Sequence, residues 1–284
     1  MPELPEVETI RRQLAPRIAG RTVRDAEILD PLWCSPRAPR ELERELAGAR
    51  IDGVHRRGKY LMVSLEQDRW LVMHLRMTGN LLLVSTGEDR RPHLRVRFAL
   101  DDGTRLLFVD PRRFGTGAVF ESEASLRAYL SERLGLEPLE PEFTAAALTR
   151  ETAGRRTPVK AFLLDQRRVA GIGNIYADEA LFRARIHPLR PTGRLRRAEV
   201  ERLREAIVAS LRAGIDAQGA SIDDYRHFNG EQGTMQDEFL VHLREGQPCP
   251  SCARPIVKLR VAGRGTYVCE RCQPPSRPRK VPPP

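Results

Sequence analysis

The first three residues, Met1, Pro2 and Glu3, could form a nucleophile with a neighbouring acid. Removal of Met1 would expose the secondary amine of Pro2. An α-amine has a pKa near 8 against about 10.4 for a lysine side chain, so more of it is unprotonated at neutral pH. Such an amine attacks the anomeric carbon of a sugar and gives an iminium, an electron sink for eliminating other substituents of the sugar. Glu3 is adjacent and could move the protons. By itself, a terminal Pro2 is more often a residue without a chemical role.

Four cysteines near the C-terminus have the spacing of a metal site. Cys249 and Cys252 form one Cys-x-x-Cys pair, and Cys269 and Cys272 form a second after sixteen intervening residues. Two such pairs supply four thiolates to a tetrahedral Zn²⁺, which leaves no position for water, so the zinc is predicted to be structural. Disulfide bonds are the alternative, which an intracellular location disfavours. The intervening segment predicts a hairpin, hence a zinc ribbon, and Cys34 is predicted to be an ordinary semi-buried side chain.

Arg264 lies between Gly263 and Gly265 at a predicted turn of this hairpin, where the backbone can approach a ligand closely. A solvated turn arginine is the alternative. Residues 249–284 hold eight basic residues and one acid, which is +7 of the chain's total of +10. This concentration of positive charge favours contact with nucleic-acid phosphates.

A second glycine-rich turn, residues 168–174, precedes a helical pattern. Asn174 is predicted to cap that helix, and the free backbone N–H groups at its start would form an anion site. The turn is not a dinucleotide-binding fingerprint, because the preceding VKAFLLDQ predicts a helix and no βαβ unit surrounds it.

Composition predicts a folded, soluble and cytoplasmic protein. The chain has 284 residues, of which 40% are hydrophobic, so wholesale disorder is excluded and two or three domains are favoured over one. The N-terminus MPELPEVETI carries acids where a secretory signal carries bases, and no apolar run reaches the roughly 18 residues of a membrane span. Only four of the 48 bases are lysines, and arginine suits bidentate phosphate contacts.

Hydrophobic periodicity predicts a mostly antiparallel β unit over residues 1–130, with a leading amphipathic helix at 4–15 and a β-sandwich as its form. Strand patterns fall within 49–66 and 69–84 and at 94–100 and 105–109, the last two joined by a turn. The Pro- and Glu-rich stretch 134–144 predicts a domain boundary. Helical patterns follow at 145–152, 159–166, 174–185 and 196–213, and the tail 274–284 is predicted to be flexible.

In their order along the chain, these motifs resemble those of the formamidopyrimidine-DNA glycosylase family, bifunctional enzymes that excise oxidised purines and nick the strand. The match runs from MPELPEVETIRR through RRGKYL, HLRMTG, DPRRFG and LLDQRRVAGIGNIYADEALFRARIHP to CPSC and CERC. The resemblance implies an α+β fold: an N-terminal antiparallel β-sandwich with its leading helix (1–133), a helical domain with a helix–two-turn–helix (134–238), a zinc ribbon (239–273) and a flexible basic tail (274–284).

The resemblance also implies a partner and a location. The partner is damaged double-stranded DNA, bound by a monomer in the cleft between the two halves. The location is the bacterial cytoplasm, with nucleoid association through the substrate, and no membrane partner is expected.

By this resemblance, Pro2 is the Schiff-base nucleophile and Glu3 the general acid/base, with Glu6 as a supporting carboxylate. Lys59 of RRGKYL is a proton donor in β-elimination. Arg264 resembles the ribbon arginine that contacts phosphate and assists the second, δ-elimination.

Met77, Arg112 and Phe114 resemble the residues that fill the gap left by an everted base. A thioether and an aromatic ring can replace lost stacking, while a guanidinium can hydrogen-bond the orphaned partner base. Core Met and Phe side chains with a surface Arg are the alternative for this set. Phosphate contacts are carried over to His93, Arg155, Lys160 and Asn174.

The chain departs from the family pattern in two places. His242-Leu243-Arg244 stands where the family commonly has Tyr-Gly-Arg, and the tail beyond Gln273 extends past the family's usual end. The segment 221–236 corresponds to the loop that closes over the damaged base, and lesion range therefore stays open.

Three other functions compete with this interpretation. The endonuclease VIII group prefers oxidised pyrimidines, and MPELPE in place of its MPEGPE argues against it, as does the set Met77, Arg112 and Phe114. A non-catalytic DNA-damage binder would not need Pro2, Glu3 and Lys59. A general zinc-ribbon protein would leave the N-terminal motifs unexplained.

Overall fold

The computed structural model describes residues 1–88, 90–221 and 232–275. They belong to two compact units, one of Met1–Arg133 with Ala213–Asp237 and one of Leu134–Arg212 with Glu238–Pro284. Residues 222–231 of the predicted lesion-covering loop and residues 276–284 of the predicted tail lie outside the described residues.

The first unit contains two antiparallel four-stranded sheets, with strand orders β1-β6-β7-β5 and β2-β3-β4-β8. One apolar core takes side chains from both sheets, which confirms the predicted sandwich. The elements are α1 (Leu4–Ile18), β1 (Val23–Ile28), α2 (Pro39–Leu46), β2 (Ile51–Arg57), β3 (Tyr60–Leu65), β4 (Arg69–His74), β5 (Asn80–Ser85), β6 (Leu94–Leu100), β7 (Thr104–Val109), β8 (Thr116–Phe120) and α3 (Glu123–Ser131), with a 3₁₀ helix at Pro31–Cys34.

The β6–β7 hairpin follows directly from its residue pattern. Val96, Phe98 and Leu100 are buried, whereas the side chains that alternate with them are only half-buried. The connecting turn ends at Gly103, whose φ of 83° lies in the left-handed region that glycine adopts without strain. The predicted strands and turn are therefore confirmed.

Helix α1 is buried along most of its length. Val7, Ile10, Leu14 and Ile18 recur on one face and join the core of the sandwich. Pro5 occupies the first turn, where its missing N–H costs nothing. Because the start of the helix is also buried, the acids of the N-terminal motif must find partners inside the protein.

Helices α2 and α3 and the 3₁₀ helix are not predicted by the sequence. The signal for α3 was present, since Ser122 and Ser125 form a capping box at its start. Trp33 of the 3₁₀ helix packs so closely on β8 that a Cβ at Gly117 would lie 2.0 Å from its ring. Cys34 beside it was predicted to be semi-buried, but it is buried in the same core, where it packs as an ordinary side chain.

The second unit is helical and ends in a two-stranded ribbon, so the α+β class is confirmed. Its elements are α4 (Ala145–Thr152), α5 (Val159–Leu164), α6 (Asn174–Arg183), a 3₁₀ helix (Thr192–Arg194), α7 (Arg197–Asp216), whose last residues belong to the first unit, β9 (Val257–Val261) and β10 (Arg264–Val268); a further 3₁₀ helix spans Met235–Glu238. The prediction that Asn174 caps α6 is wrong: Gly173, in an extended conformation, is the N-cap, and Asn174 is the first helical residue.

Among the described residues, no helix combines the length and the apolar character that crossing a lipid bilayer would require.

Candidate active site and zinc centre

The start of α1 holds Glu3 and Glu6 in a capping box. Glu6 Oε2 accepts a hydrogen bond from the backbone N–H of Glu3 at 2.8 Å, and the Glu3 side chain accepts one from the backbone of Glu6. Glu3 is 2% and Glu6 1% exposed, and Pro2 is buried as well. The structure therefore fixes the side chain of Glu3, the residue that follows Pro2, at the start of α1.

Glu6 also connects α1 to a segment more than two hundred residues away. Its Oε1 accepts the backbone N–H of Ala220 at 2.8 Å. Gly219 has a φ of 84°, and a Cβ there would lie 2.9 Å from Glu6 Cγ, so this close approach requires glycine. Glu6 thus holds the backbone of Glu3 and of Ala220. Its part in the chemistry stays a prediction.

Lys59 lies in the tight turn between β2 and β3 and is 5% exposed. The neighbouring Arg56 donates to the carbonyl of Gly58 in this turn at 3.1 Å, and its Nε donates to Glu8 Oε2 at 3.2 Å. Glu8 belongs to α1. One arginine therefore joins the helix that carries Pro2 and Glu3 to the turn that carries Lys59.

Glu8 was not predicted as a site residue. The N-terminal motif does contain the two arginines that keep its carboxylate ionised. Arg11 and Arg12 follow it at helical spacing, and both donate to its carboxylate. Burial raises the pKa of Glu8, but the hydrogen bonds from these two arginines and the charges of Arg11 and Arg56 lower it to about 2. The carboxylate is therefore ionised throughout the neutral range.

His74 also escaped prediction. Burial, together with the charges of Arg76 and Lys59, lowers its pKa to about 3, so the ring is neutral. Nδ1 accepts the backbone N–H of Arg76 at 2.9 Å, which leaves the proton on Nε2. Arg76 has a φ of 55°. His74 thus stabilises the bend that leads directly to Met77.

Met77, Arg112 and Phe114 lie on two loops of the first unit. Met77 is half-buried between β4 and β5, whereas Arg112 and Phe114 are exposed between β7 and β8. The guanidinium carbon of Arg112 lies 4.8 Å from the centroid of the Phe114 ring. Phe114 is 49% exposed, so the alternative of a core phenylalanine is wrong.

His93 is exposed at the start of β6 and has a φ of 63°. Its carbonyl accepts the backbone N–H of Asp110 at 3.0 Å. This hydrogen bond places His93 beside Asp110, where the loop that carries Arg112 and Phe114 begins.

The second unit brings the four cysteines together. The Sγ atoms of Cys249, Cys252, Cys269 and Cys272 all lie within 4.8 Å of one another. Four sulfurs at about 2.3 Å from a tetrahedral zinc are about 3.8 Å apart, so the cluster fits. Four adjacent thiolates repel one another, and a dication allows them to ionise together. The cluster is the site of one structural zinc ion.

Arg264 is exposed, but it is not at the centre of its turn. Ala262 and Gly263, with φ of 49° and 74°, form the two-residue turn, and Arg264 pairs with Val261 as the first residue of β10. The prediction of a turn centred on Arg264 is therefore wrong by one residue.

Lys160 is fully buried, and its ammonium lies among three acceptors. Nζ donates to Asp178 Oδ1 at 2.7 Å, to Thr266 Oγ1 at 2.8 Å and to the carbonyl of Gly265 at 3.0 Å. Asn174 Nδ2 donates to the same carbonyl at 3.0 Å. The geometry of both residues supports positioning of the strand next to Arg264. A direct phosphate contact does not fit the full burial of Lys160, and that of Asn174 stays a prediction.

His242, at the family's tyrosine position, joins this network. Its Nδ1 lies 2.9 Å from Asp178 Oδ2, and its ring packs edge-on against Tyr267 of β10. Glu179, next to Asp178, accepts the backbone N–H groups of residues 240–242. Two adjacent acids of α6 therefore hold the segment that precedes the ribbon, which the sequence did not predict.

Arg155 follows α4 and is half-buried. Its guanidinium lies 3.7 Å from the carboxylate of Glu151, one helical turn earlier. Its phosphate contact also stays a prediction.

Comparison with known families covers most of the chain. Residues 1–117 match the formamidopyrimidine-DNA glycosylase N-terminal domain, 134–226 the formamidopyrimidine-DNA glycosylase H2TH domain, and 246–275 the zinc finger found in FPG and IleRS. The chain belongs to the formamidopyrimidine-DNA glycosylase family.

Individual members of the family are similar over nearly the whole chain. The formamidopyrimidine-DNA glycosylase of Symbiobacterium thermophilum is 48% identical over 96% of this chain and 90% of its own length, and that of Geobacillus kaustophilus is 45% identical over 96% and 100%. A single-residue mutant of Lactococcus lactis FPG, in complex with a Fapy-dG containing DNA, aligns with a TM-score of 0.90 at 36% identity, covering 96% of this chain and all of that one.

The zinc centre gives a first prediction. Replacement of Cys269 by Ser should remove the zinc and unfold the ribbon while the first unit stays folded, because one ligand of four is lost and the ribbon's small core includes Cys269 itself. Metal analysis and circular dichroism measure this. Cys34→Ser is the matched control and should retain one zinc. A stoichiometric zinc content in Cys269→Ser would contradict the assignment.

A second prediction concerns acid stability. Native Glu8 has a pKa of about 2, whereas an unfolded glutamate titrates near 4.3, so its contribution is fully present above about pH 4.3 and is lost as pH falls towards 2. Glu8→Gln should lower the Tm at pH 7, and the difference from wild type should shrink between pH 5 and pH 3. Glu121→Gln, an exposed control, should not change the Tm. A Tm difference between Glu8→Gln and wild type that does not change with pH would refute the pairing of Glu8 with its arginines.

Proposed function

We propose that this chain is a bifunctional DNA glycosylase and AP lyase of base excision repair, which excises 8-oxoguanine and formamidopyrimidines from damaged double-stranded DNA. Membership of the glycosylase family supports the excision of a base. The observation that carries the lyase half is the buried pair Pro2 and Glu3 at the start of α1, with Glu3 held by Glu6.

In the proposed reaction, the amine of Pro2 is the nucleophile. Its lone pair forms a bond to C1′ of the damaged nucleotide, and the electrons of the glycosidic bond leave with the base, which takes up a proton. The C1′–O4′ bond then breaks, Glu3 transfers the proton of the attacking nitrogen to the ring oxygen, and a cationic iminium remains. Met1 must be removed first, because an acylated nitrogen has no available lone pair.

The iminium then drives two eliminations. Loss of a proton from C2′ expels the 3′-phosphate, with Lys59 as a proton donor, and a second elimination, assisted by Arg264, expels the 5′-phosphate. The ammonium and the guanidinium each stabilise negative charge that develops on the leaving phosphate. The product is a one-nucleotide gap with phosphate at both ends.

Contacts with DNA are assigned to residues of both units. Met77, Arg112 and Phe114 fill the gap beside the everted base, which the exposed Arg112–Phe114 pair supports. His93, Arg155, Asn174 and Arg264 contact the phosphates, and the buried Lys160 contributes by holding the carbonyl of Gly265 next to Arg264.

The domain boundaries we propose are 1–133, 134–238 and 239–273, followed by the tail 274–284. We place the enzyme in the bacterial cytoplasm, at the nucleoid through its substrate, as a monomer. The solved complexes of the Lactococcus lactis enzyme with damaged DNA support the partner.

Oxidised pyrimidines are a second candidate substrate class. One solved structure, 35% identical with a TM-score of 0.89, is a complex of wild-type Lactococcus lactis FPG with an oxidised-pyrimidine-containing DNA. The activity test should therefore use DNA with an oxidised purine and DNA with an oxidised pyrimidine. We expect faster excision of the oxidised purine.

The proposed chemistry predicts covalent trapping. Incubation with duplex DNA containing 8-oxoguanine opposite cytosine, with borohydride present, should yield a protein–DNA adduct, and without borohydride a gap with two phosphate ends. A preparation that retains Met1 should give no adduct, while Pro2→Gly, which keeps a terminal amine, should give some. An abasic strand left intact would disprove the lyase half.

Variants should distinguish the residues that evert the damaged base from those that carry out the bond chemistry. Phe114→Ala removes stacking that offsets unstacking of the damaged base, so 8-oxoguanine excision should slow about tenfold or more, while nicking of abasic DNA should fall less. Glu3→Gln should impair both reactions and leave DNA binding nearly intact. Single-turnover rates on both substrates measure this, with Leu32→Ala as an exposed apolar control in the same unit. Equal losses for Phe114→Ala would mean that it only supports the fold.

A further inference from the structure

Asp110, the first residue of DPRRFG, is a buried acid that the reaction above does not use. Its side chain is 1% exposed at the end of β7. Asp110 Oδ1 accepts hydrogen bonds from the hydroxyl of Thr78 and from the backbone N–H of Arg112, the latter at 3.2 Å. Asp110 Oδ2 accepts the backbone N–H of Gly115 at 2.7 Å.

These hydrogen bonds join two loops that are distant in sequence. Thr78 directly follows Met77, and Arg112 and Gly115 enclose the exposed segment that contains Phe114. The backbone N–H of Arg112 also reaches Thr78 Oγ1 at 3.3 Å, so both loops share one network. The geometry of Met77 relative to Arg112 and Phe114 therefore depends on a single carboxylate.

The loop packs closely on the sandwich at Gly115 and is held again at Arg113. A Cβ at Gly115 would lie 2.5 Å from the ring of Phe108 and 3.1 Å from Asp110 Oδ2. Between the anchors, Arg113 adopts a φ of 59° and its guanidinium binds Asp30 through two hydrogen bonds of 2.8 and 2.9 Å. With Asp110 inside the loop and Asp30 outside it, Arg112 and Phe114 are directed to the surface.

A carboxylate suits this position because backbone N–H groups, which can only donate, face both of its oxygens. The Thr78 hydroxyl and the backbone N–H groups of Arg112 and Gly115 need acceptors on both oxygens of residue 110. An ionised aspartate only accepts, whereas an asparagine of the same shape replaces one oxygen by an NH₂ donor. That NH₂ would face either the Gly115 N–H or the donors of Thr78 and Arg112.

We propose that Asp110 is a positioning residue for base eversion, holding the Met77 loop and the Arg112–Phe114 loop in the one relative arrangement that can fill the space left by the damaged base. This rests on the proposed function. Asp110 acts through Met77, Arg112 and Phe114 and takes no part in imine formation or elimination. Loss of its acceptor should therefore affect expulsion of a base and spare the later steps.

The test compares single-turnover rates on two duplexes, one with 8-oxoguanine opposite cytosine and one with a preformed abasic site. Asp110→Asn should slow base excision by about 10- to 100-fold, the range in which misplaced groups reduce rates, and change abasic nicking by less than about threefold. Thr78→Val, which removes the hydroxyl and keeps the shape, should show the same selectivity. Thr78→Ser, which restores the hydroxyl, should approach wild type.

Asp102→Asn is the matched control. Asp102 also accepts from a threonine hydroxyl and a backbone N–H, at 2.7 and 2.9 Å, but in the turn between β6 and β7. It should leave both rates unchanged. Adding Thr78→Val to Asp110→Asn should cause little further loss, because both changes break the same network.

Three results from the variants would overturn the inference. Equal losses on both substrates would show that Asp110 only supports the fold, and unchanged rates in Asp110→Asn would show that its acceptor is not needed. A normal rate in Thr78→Val would remove the link between the loops. A wild-type protein that neither excises nor nicks would disprove the proposed function, and the inference with it, whereas an active wild type keeps the two failures distinct.

Discussion

A carboxylate buried at the start of α1 must be surrounded by donors, and this requirement organises the first unit. Glu6 satisfies it with one N–H from Glu3, three residues before it, and one from Ala220, far along the chain. The first bond fixes the position of Glu3, and the second is possible only because Gly219 lets the backbone approach. An unpaired buried carboxylate is costly, so the hydrogen bonds to Glu6 stabilise the approach of these two segments.

The same principle recurs wherever a functional loop needs a fixed position. Glu8 and Arg56 join α1 to the Lys59 turn, and Asp110 joins the two loops that carry Met77 and Phe114. In the second unit, Lys160 lies between the side chain of Asp178 and the carbonyl beside Arg264. In each case a buried charge with several partners holds the segment that carries one of the predicted site residues.

Local patterns were sufficient for much of the fold. Alternation predicted β6 and β7, the spacing of Val200, Leu203, Ile207 and Leu211 predicted α7, and two Cys-x-x-Cys pairs predicted the zinc centre, because each of these signals lies within a short stretch of chain. The short helix α2 has few residues to show a period. At α6 and at the ribbon turn, the predictions missed by one residue, since the left-handed or extended conformation of a glycine, not the neighbouring polar residue, sets the boundary.

The supporting residues of the site could not be predicted in the same way. Glu8, His74, Asp110 and Glu179 read as ordinary polar residues in the sequence, and only their partners show their roles. Asp110 accepts a hydrogen bond from Thr78, 32 positions away, and Glu179 accepts hydrogen bonds from residues 240–242, which are 61 or more positions away. Such pairs depend on tertiary structure, and one sequence does not show which distant donor meets which buried acceptor.

The central claim is that the buried start of α1 holds the amine of Pro2, with Glu3 beside it, as the nucleophile. Lys59 is the competing amine, because it too is buried in the first unit. Peptide mapping by mass spectrometry of the borohydride-reduced adduct distinguishes the two. The account predicts that the sugar remnant is attached to the nitrogen of Pro2, on a peptide that lacks Met1. Attachment to the peptide that contains Lys59 would contradict it.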